Sequence, residues 1–188
     1  MNKREEMLEA ALSLFAAEGY DNVGIQKIVD ACNVKKPTLY HYFGSKNGIL
    51  KEFVSLYFEP FLAELEQRTV YNDDLTLTLE NVVKTYFRFA AENDRFYRLY
   101  LSMVYAPKDT EAHQAILPVL ERQFKLLDTM FTAAEKQHGN MRGRSKRYTF
   151  TFMGMINSYI TTSYYGQIAL SDESAFLACK QFMHGILS

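Results

Sequence analysis

Apolar residues recur at helical spacing from the start of the chain. Asn2 offers an N-cap and Glu5 its reciprocal partner in a capping box. Leu8, Ala11, Leu12 and Phe15 then fall at i, i+3, i+4 and i+7, one stripe of a helix that Gly19 ends. A shorter stripe follows at Ile25, Ile28, Val29 and Cys32, and Asn33-Val34 supplies a tight turn because Asn tolerates the left-handed region. A third helix begins near Pro37 and carries the apolar pair Leu39 and Phe43. Gly44 breaks it, and Ser45 caps a helix bearing Ile49, Leu50, Phe53, Val54 and Tyr57. Short helix, tight turn, short helix is the spacing of a helix-turn-helix.

The pattern stays helical to the end. Pro60 should bend or divide the segment from Lys46 towards Arg68. Tyr71-Asn72-Asp73-Asp74 reads as a turn with capping material, and Leu79, Val82, Val83, Tyr86 and Ala90 mark the next helix. Glu92-Asn93-Asp94 interrupts it; Phe96, Tyr100 and Met103 define a short helix closed by the Ala106–Asp109 loop. A helix over about 110–137 contains Pro118, His138-Gly139-Asn140 closes it, and Arg142 to Arg147 form a basic connector. Two helices remain, near Arg147–Ala169 and Asp172–Leu187, the last with Phe176, Cys179, Phe182, Met183 and Ile186 on one stripe. The expected fold is all-α.

Composition adds an unusual aromatic load, 13 Tyr and 14 Phe without Trp, and 8 Met. So many rings serve a core, and they also suit an apolar cavity or a large interface; Met fills irregular space in either. The net charge of −1 gives no global attraction to nucleic acid, so any such contact must be local. It is local here: Lys35, Lys36, Lys46 and Lys51 fall between Ala31 and Lys51 without an acid among them. Cys32 and Cys179 fit no metal or redox spacing, and the chain start lacks a signal-peptide apolar run, so a cytoplasmic location is expected. Tyr148 to Ser171 is uncharged, but its Thr, Ser, Asn and Gln content suits burial between protein surfaces rather than lipid, and no membrane partner is expected.

The runs Gly19-Tyr20, Ile25-Gln26-Lys27-Ile28-Val29 and Val34-Lys35-Lys36-Pro37-Thr38-Leu39-Tyr40-His41-Tyr42-Phe43-Gly44-Ser45-Lys46, in this order, resemble the TetR family of transcriptional regulators. The resemblance implies a three-helix DNA-binding domain over 1–46 and a ligand-binding and dimerisation domain over 47–188. Leu39 and Phe43 would anchor the recognition helix, leaving Lys35, Lys36, Thr38, Tyr40, His41 and Tyr42 for the major groove and its phosphates. Tyr40 and Lys46 match family residues that meet phosphates. The alternatives are solvated charges for the lysines and core packing for Tyr40 and Tyr42. The sequence departs from the family at Gly24, where a hydroxyl cap is common and Asn22 is a substitute, and at Gly48, which removes a capping box.

A two-fold dimer on a palindromic operator of double-stranded DNA follows from the same resemblance. The uncharged penultimate helix carries Gly154, Ser158 and Thr162 at i, i+4 and i+8, a small-residue ridge that permits close helix approach. With Phe176 and Phe182 it is expected at an intersubunit four-helix bundle; an ordinary buried core helix is the alternative. Tyr86, Phe96, Tyr100, Met103, Phe124, Leu127, Phe131, Met153 and Asn157 are candidates for lining a small-molecule effector site, each with plain core as its alternative. Their composition favours a hydrophobic or aromatic effector. His41, His113, His138 and His184 lie in separate elements and no glycine-rich phosphate loop occurs, so no enzyme activity, metal or cofactor is expected. A helical protein that sequesters small molecules, with weak or vestigial DNA binding, is the rival reading.

Overall fold

The computed structural model describes residues 2–185, and all regular structure among them is helical. Ten α-helices follow in order: α1 (Lys3–Glu18), α2 (Ile25–Ala31), α3 (Lys36–Phe43), α4 (Lys46–Phe53), α5 (Glu59–Arg68), α6 (Leu75–Glu92), α7 (Asp94–Val104), α8 (Glu111–Ala134), α9 (Ser145–Ser163) and α10 (Asp172–His184). They form two compact units. The first comprises the chain up to Pro60 with Asn93–Leu120, and the second Phe61–Glu92 with the chain from Glu121 onward. The units therefore differ from a single cut after residue 46, because α7 and the start of α8 pack with the N-terminal helices.

Helix ends follow the local chemistry closely. Asn2 and Glu5 form the expected capping box, and α1 stops at Gly19. Asp74 Oδ1 accepts from the Leu77 N–H at 2.9 Å and opens α6. Pro60 divides its helix as expected: Val54–Phe58 widens into a π-helical stretch immediately before it. Proline lacks an N–H and crowds the carbonyl four residues back, and a π-turn relieves both demands. Two expectations fail at helix starts. Asn22 does not cap α2; its Nδ2 donates to the Glu18 carbonyl at the end of α1, and Gly24 caps α2 without a side chain. The basic connector is shorter than 142–147, because α9 begins at Ser145 and takes Lys146 and Arg147 into its first turn. At the other end α9 stops at Ser163, short of Ala169; of the last expected helix, Ile186 of its stripe and the end at Leu187 lie outside the described residues.

The core of the first unit is a lattice of rings. Phe15 meets Tyr20 edge-on at 5.1 Å and Phe53 at 6.3 Å. Phe96 stacks on Tyr57 at 4.3 Å and meets Phe58 at 5.1 Å, and Phe58 meets Tyr100 at 4.9 Å. Each such pair adds about 0.5–1.5 kcal/mol beyond the area it buries. In the second unit α10 packs on α6 and both pack on α9. Phe131, Phe152 and Phe182 interlock there at 5.0–6.2 Å. Buried Tyr86 donates its hydroxyl to Gln123 Oε1 at 2.8 Å, which removes the cost of burying it. Burial pushes the Cys179 thiol up to about 12, against the opposing charge of Lys84.

The α3–α4 junction is closely packed. Ser45 caps α4 by accepting from the Gly48 N–H at 3.0 Å. A Cβ on Gly48 would lie 1.8 Å from the Phe43 carbonyl oxygen, a backbone atom that cannot swing aside. The missing capping-box residue is thus the condition for the two helices to approach. Gly48→Ala is expected to lower the thermal midpoint by several degrees, the effect of about 1–3 kcal/mol of overpacking. Thermal unfolding followed by circular dichroism checks this; an unchanged midpoint would mean that the junction is not sterically closed.

Candidate nucleic-acid interface

The turn between α2 and α3 is built from backbone bonds. Asn33 sits at φ 51°, in the left-handed region that Asn accepts, and the Val34 N–H donates to the Val29 carbonyl at 3.0 Å. Pro37 lies in the first turn of α3, and Gly44 closes that helix at φ 69°. Leu39 is wholly buried and Phe43 nearly so, which fixes the rotation of α3 about its axis. The opposite face is consequently determined. Lys35, Lys36, Tyr40, His41 and Tyr42 are exposed and Thr38 is half-buried. Tyr40 and Tyr42 keep 47% and 45% of their surface open, so neither is core. The His41 and Tyr42 rings meet edge-on at 5.4 Å, which orients both. Lys35 and Lys36 form no ion pair with any described residue. The exposed surface of α3 thus carries cations, hydroxyls and an imidazole, and its first-turn N–H groups have no side-chain cap. Such a face offers hydrogen-bond donors to phosphate oxygens and to base edges.

Lys46 behaves differently from its neighbours. Its ammonium turns inward, donating to the Tyr20 carbonyl at 3.0 Å and the Val23 carbonyl at 3.2 Å, and it lies 4.0 Å from the centre of the Tyr20 ring. These contacts clamp α4 to the α1–α2 turn. The Tyr20 hydroxyl in turn donates to Glu111 Oε2 at 2.7 Å. Burial, reinforced by that carboxylate, raises the Tyr20 hydroxyl well above the usual phenol range. The sequence singled out neither Tyr20 nor Glu111 for this; they lie 91 positions apart and no spacing rule connects them.

The remaining expected site residues are distributed as follows. Phe96, Tyr100 and Met103 belong to the core of the first unit, while Tyr86, Phe124, Leu127, Phe131, Met153 and Asn157 belong to the second. Phe131 also borders a cavity of about 220 Å³ inside the second unit. Most of that lining (Leu75, Thr76, His138, Asn140, Met141, Tyr148) was not anticipated, because it comes from helix ends where no periodicity signals it. Of the expected interface residues, Gly154, Ser158 and Phe176 are exposed and Thr162 and Phe182 half-buried.

Comparison with known proteins agrees with this geometry. The profile of the family described as "Bacterial regulatory proteins, tetR family" matches residues 7–53, which hold the interface. The biofilm operon icaADBC HTH-type negative transcriptional regulator IcaR of Staphylococcus epidermidis is 26% identical over 106 residues, 56% of this chain and 55% of its own. Matches to curated relatives cover between 29% and 56% of those proteins' lengths. A TetR-family transcriptional regulator from Bordetella parapertussis superposes with a TM-score of 0.75 at 26% identity, over 100% of this chain and 98% of that one. The regulator FadR from Bacillus subtilis, solved with stearoyl-CoA, gives a TM-score of 0.77 at 21% identity, over 97% and 99% of the two chains.

Lys46→Ala is expected to cost about 2–4 kcal/mol, since it removes two charge-assisted bonds and a cation–π contact. Chemical denaturation of the variant measures it; full stability together with lost DNA affinity would return Lys46 to the role of a phosphate ligand. The matched segment, the exposed recognition helix and the shared all-helical architecture lead to one conclusion: residues 7–53 carry the helix-turn-helix of the tetR family of bacterial regulatory proteins.

Proposed function

We propose that the protein is a sequence-specific DNA-binding regulator that acts as a homodimer on a palindromic operator and is released from it by a small hydrophobic or aromatic effector. The observation that carries the reading is the open face of α3, where Lys36, Tyr40 and His41 project from a helix pinned by Leu39 and Phe43. One such helix grips a half-site; a two-fold pair placed about 34 Å apart engages two successive major-groove faces. Lys35 and Lys36 supply phosphate contacts, Tyr40 donates its hydroxyl to a phosphate, and Thr38, His41 and Tyr42 lie at the base edges or the groove rim. Effector binding favours a conformer in which the paired helices no longer match the operator. In support, the fold is one that houses an acyl thioester in the Bacillus subtilis relative.

The dimer reading rests on an uncovered face of α9 and α10. Phe150 and Tyr165 of this region are 60% and 80% exposed, and Phe176 and Leu177 of α10 are 47% and 51% exposed. Gly154 and Ser158 lie on the exposed side of α9, where they allow close helix contact. Burying one of the large side chains is worth about 1.5–3 kcal/mol, and a symmetric interface counts each twice. A Cβ at Gly154 meets nothing within 4 Å in the monomer, so substitution there reads the partner alone. Gly154→Leu is expected to raise the dimer dissociation constant at least about tenfold with unchanged helix content. Analytical ultracentrifugation measures it, and an unaltered dimer would place the two-fold elsewhere.

Selection of bound sequences from randomised duplex DNA at moderate salt tests the main reading. An enriched palindrome is expected, with affinity falling steeply as salt rises because lysine–phosphate contacts release counterions. Tyr40→Phe is expected to weaken binding to that sequence by about 1–2 kcal/mol and leave the dimer intact. A folded dimer that enriches no sequence even after ligand stripping would instead favour a sequestering protein.

A further inference from the structure

The cavity of about 220 Å³ in the second unit is not accounted for by DNA recognition. Leu79, Phe131, Met141 and Phe182 form its apolar wall, with Asn140 and Tyr148 contributing polar groups. A dry apolar cavity of about 150 Å³ already admits a benzene molecule. This one therefore has room for a ring bearing a short substituent.

The charge beside it is one-sided. Arg142 follows the lining residue Met141, and Arg147 precedes the lining residue Tyr148, so each Cα lies about 3.8 Å from that of a wall residue. Arg144 and Lys146 fall between them, and all four cations are exposed. None makes an ion pair or side-chain hydrogen bond with a described residue. The carboxylate shown on this loop is that of Glu135, which accepts the Gly143 N–H at 2.9 Å and offsets one charge. The first turn of α9 contains no acid and its N-cap, Arg144, makes no side-chain bond. Cations at a helix N-terminus oppose the macrodipole. By contrast, α10 opens in the ordinary way with a Ser171 cap and Asp172 and Glu173 in its first turn. The 142–147 segment thus concentrates four exposed cations, and it is continuous in the chain with the cavity residues Met141 and Tyr148.

We infer that this cavity binds a small apolar anion, a substituted benzene ring or short branched chain bearing one carboxylate, with its body against Leu79, Phe131 and Phe182 and its carboxylate towards the cations of residues 142–147. The inference rests on the effector reading above for its regulatory meaning, whereas the binding itself is measured without DNA. Its failure would leave operator recognition intact, and failure of operator recognition would leave it standing.

The test is calorimetric titration of the full chain with 4-isopropylbenzoate and with the neutral isostere 4-isopropylbenzamide. The carboxylate is expected to bind at least about tenfold more tightly than the amide, and high salt should shrink the difference. The double substitution Arg142→Glu with Arg147→Glu, at exposed positions, should abolish that preference while leaving amide binding within about twofold. Met183→Trp, which fills the cavity from a half-buried lining position, should abolish both. Equal affinity for acid and amide, a preference that survives charge reversal, undiminished binding in a folded Met183→Trp variant, or no binding of either probe at millimolar concentration would each overturn the proposal. If Met183→Trp does not fold, the charge-reversal comparison decides alone.

Discussion

The DNA-facing geometry depends on where one ammonium is held. Lys46 begins α4, yet its charge is spent on the carbonyls of Tyr20 and Val23 and on the Tyr20 ring. Those carbonyls belong to the turn that delivers α2, and α2 packs on α3. Tyr20 is held from the other side by Glu111 and packs on Phe15. A compact ammonium with three donors suits two converging carbonyls and a ring face; the planar fork of Arg does not. The clamp is half-buried, so it is screened less by salt than the lysines on the open face of α3. The lysines of the same short segment are thereby divided: Lys35 and Lys36 stay exposed, and Lys46 holds α4 against the turn before α2.

The aromatic residues illustrate why composition alone points in two directions. A run of rings at helical spacing is compatible with both a pocket and a packed core, since each requires apolar surface on one helix face. In the first unit Tyr57, Phe58, Phe96 and Tyr100 satisfy one another in stacked and edge-on pairs. Tyr86 is drawn into the second core because Gln123 is placed to accept its hydroxyl. These partners are non-local, and periodicity carries no information about them. The observed cavity is instead lined largely by helix ends and by the Gly139–Met141 turn, the parts of a chain least legible from pattern.

What was legible is governed by short-range chemistry. The capping box at Asn2, the left-handed turn at Asn33 and the break at Gly44 are decided within four residues, and sequence reads such signals directly. The amphipathic rule likewise placed Leu39 and Phe43 inside, and with them the outward face of Lys36, Tyr40 and His41. The misreadings share a cause. Asn22 had two helix ends within reach and its amide satisfies the orphan carbonyl at Glu18 rather than the start of α2. Lys46 reaches two carbonyls that the fold brings near, partners that no spacing in the sequence announces. Gly48 looked like a missing cap until the Phe43 carbonyl supplied its steric reason. In each case the decisive partner was set by how segments pack, information that a local pattern does not hold.

The same division between local and packed chemistry organises the charge. Acidic residues neutralise the cations that lie along packed helices: Arg95 pairs with Glu9, Lys84 with Glu80 and Asp172, and Arg88 with Glu64. Each exposed pair is worth little in stability, about 0–1 kcal/mol. Their larger consequence is subtractive. Once those cations are neutralised, a chain of net charge −1 still presents unpaired positive groups on the open face of α3 and on the segment leading into α9. Within a Debye length of about 8 Å at physiological ionic strength, an approaching anion responds to these local fields rather than to the overall charge. A nearly neutral chain therefore keeps two locally positive surfaces, because the acids named above are committed to other cations.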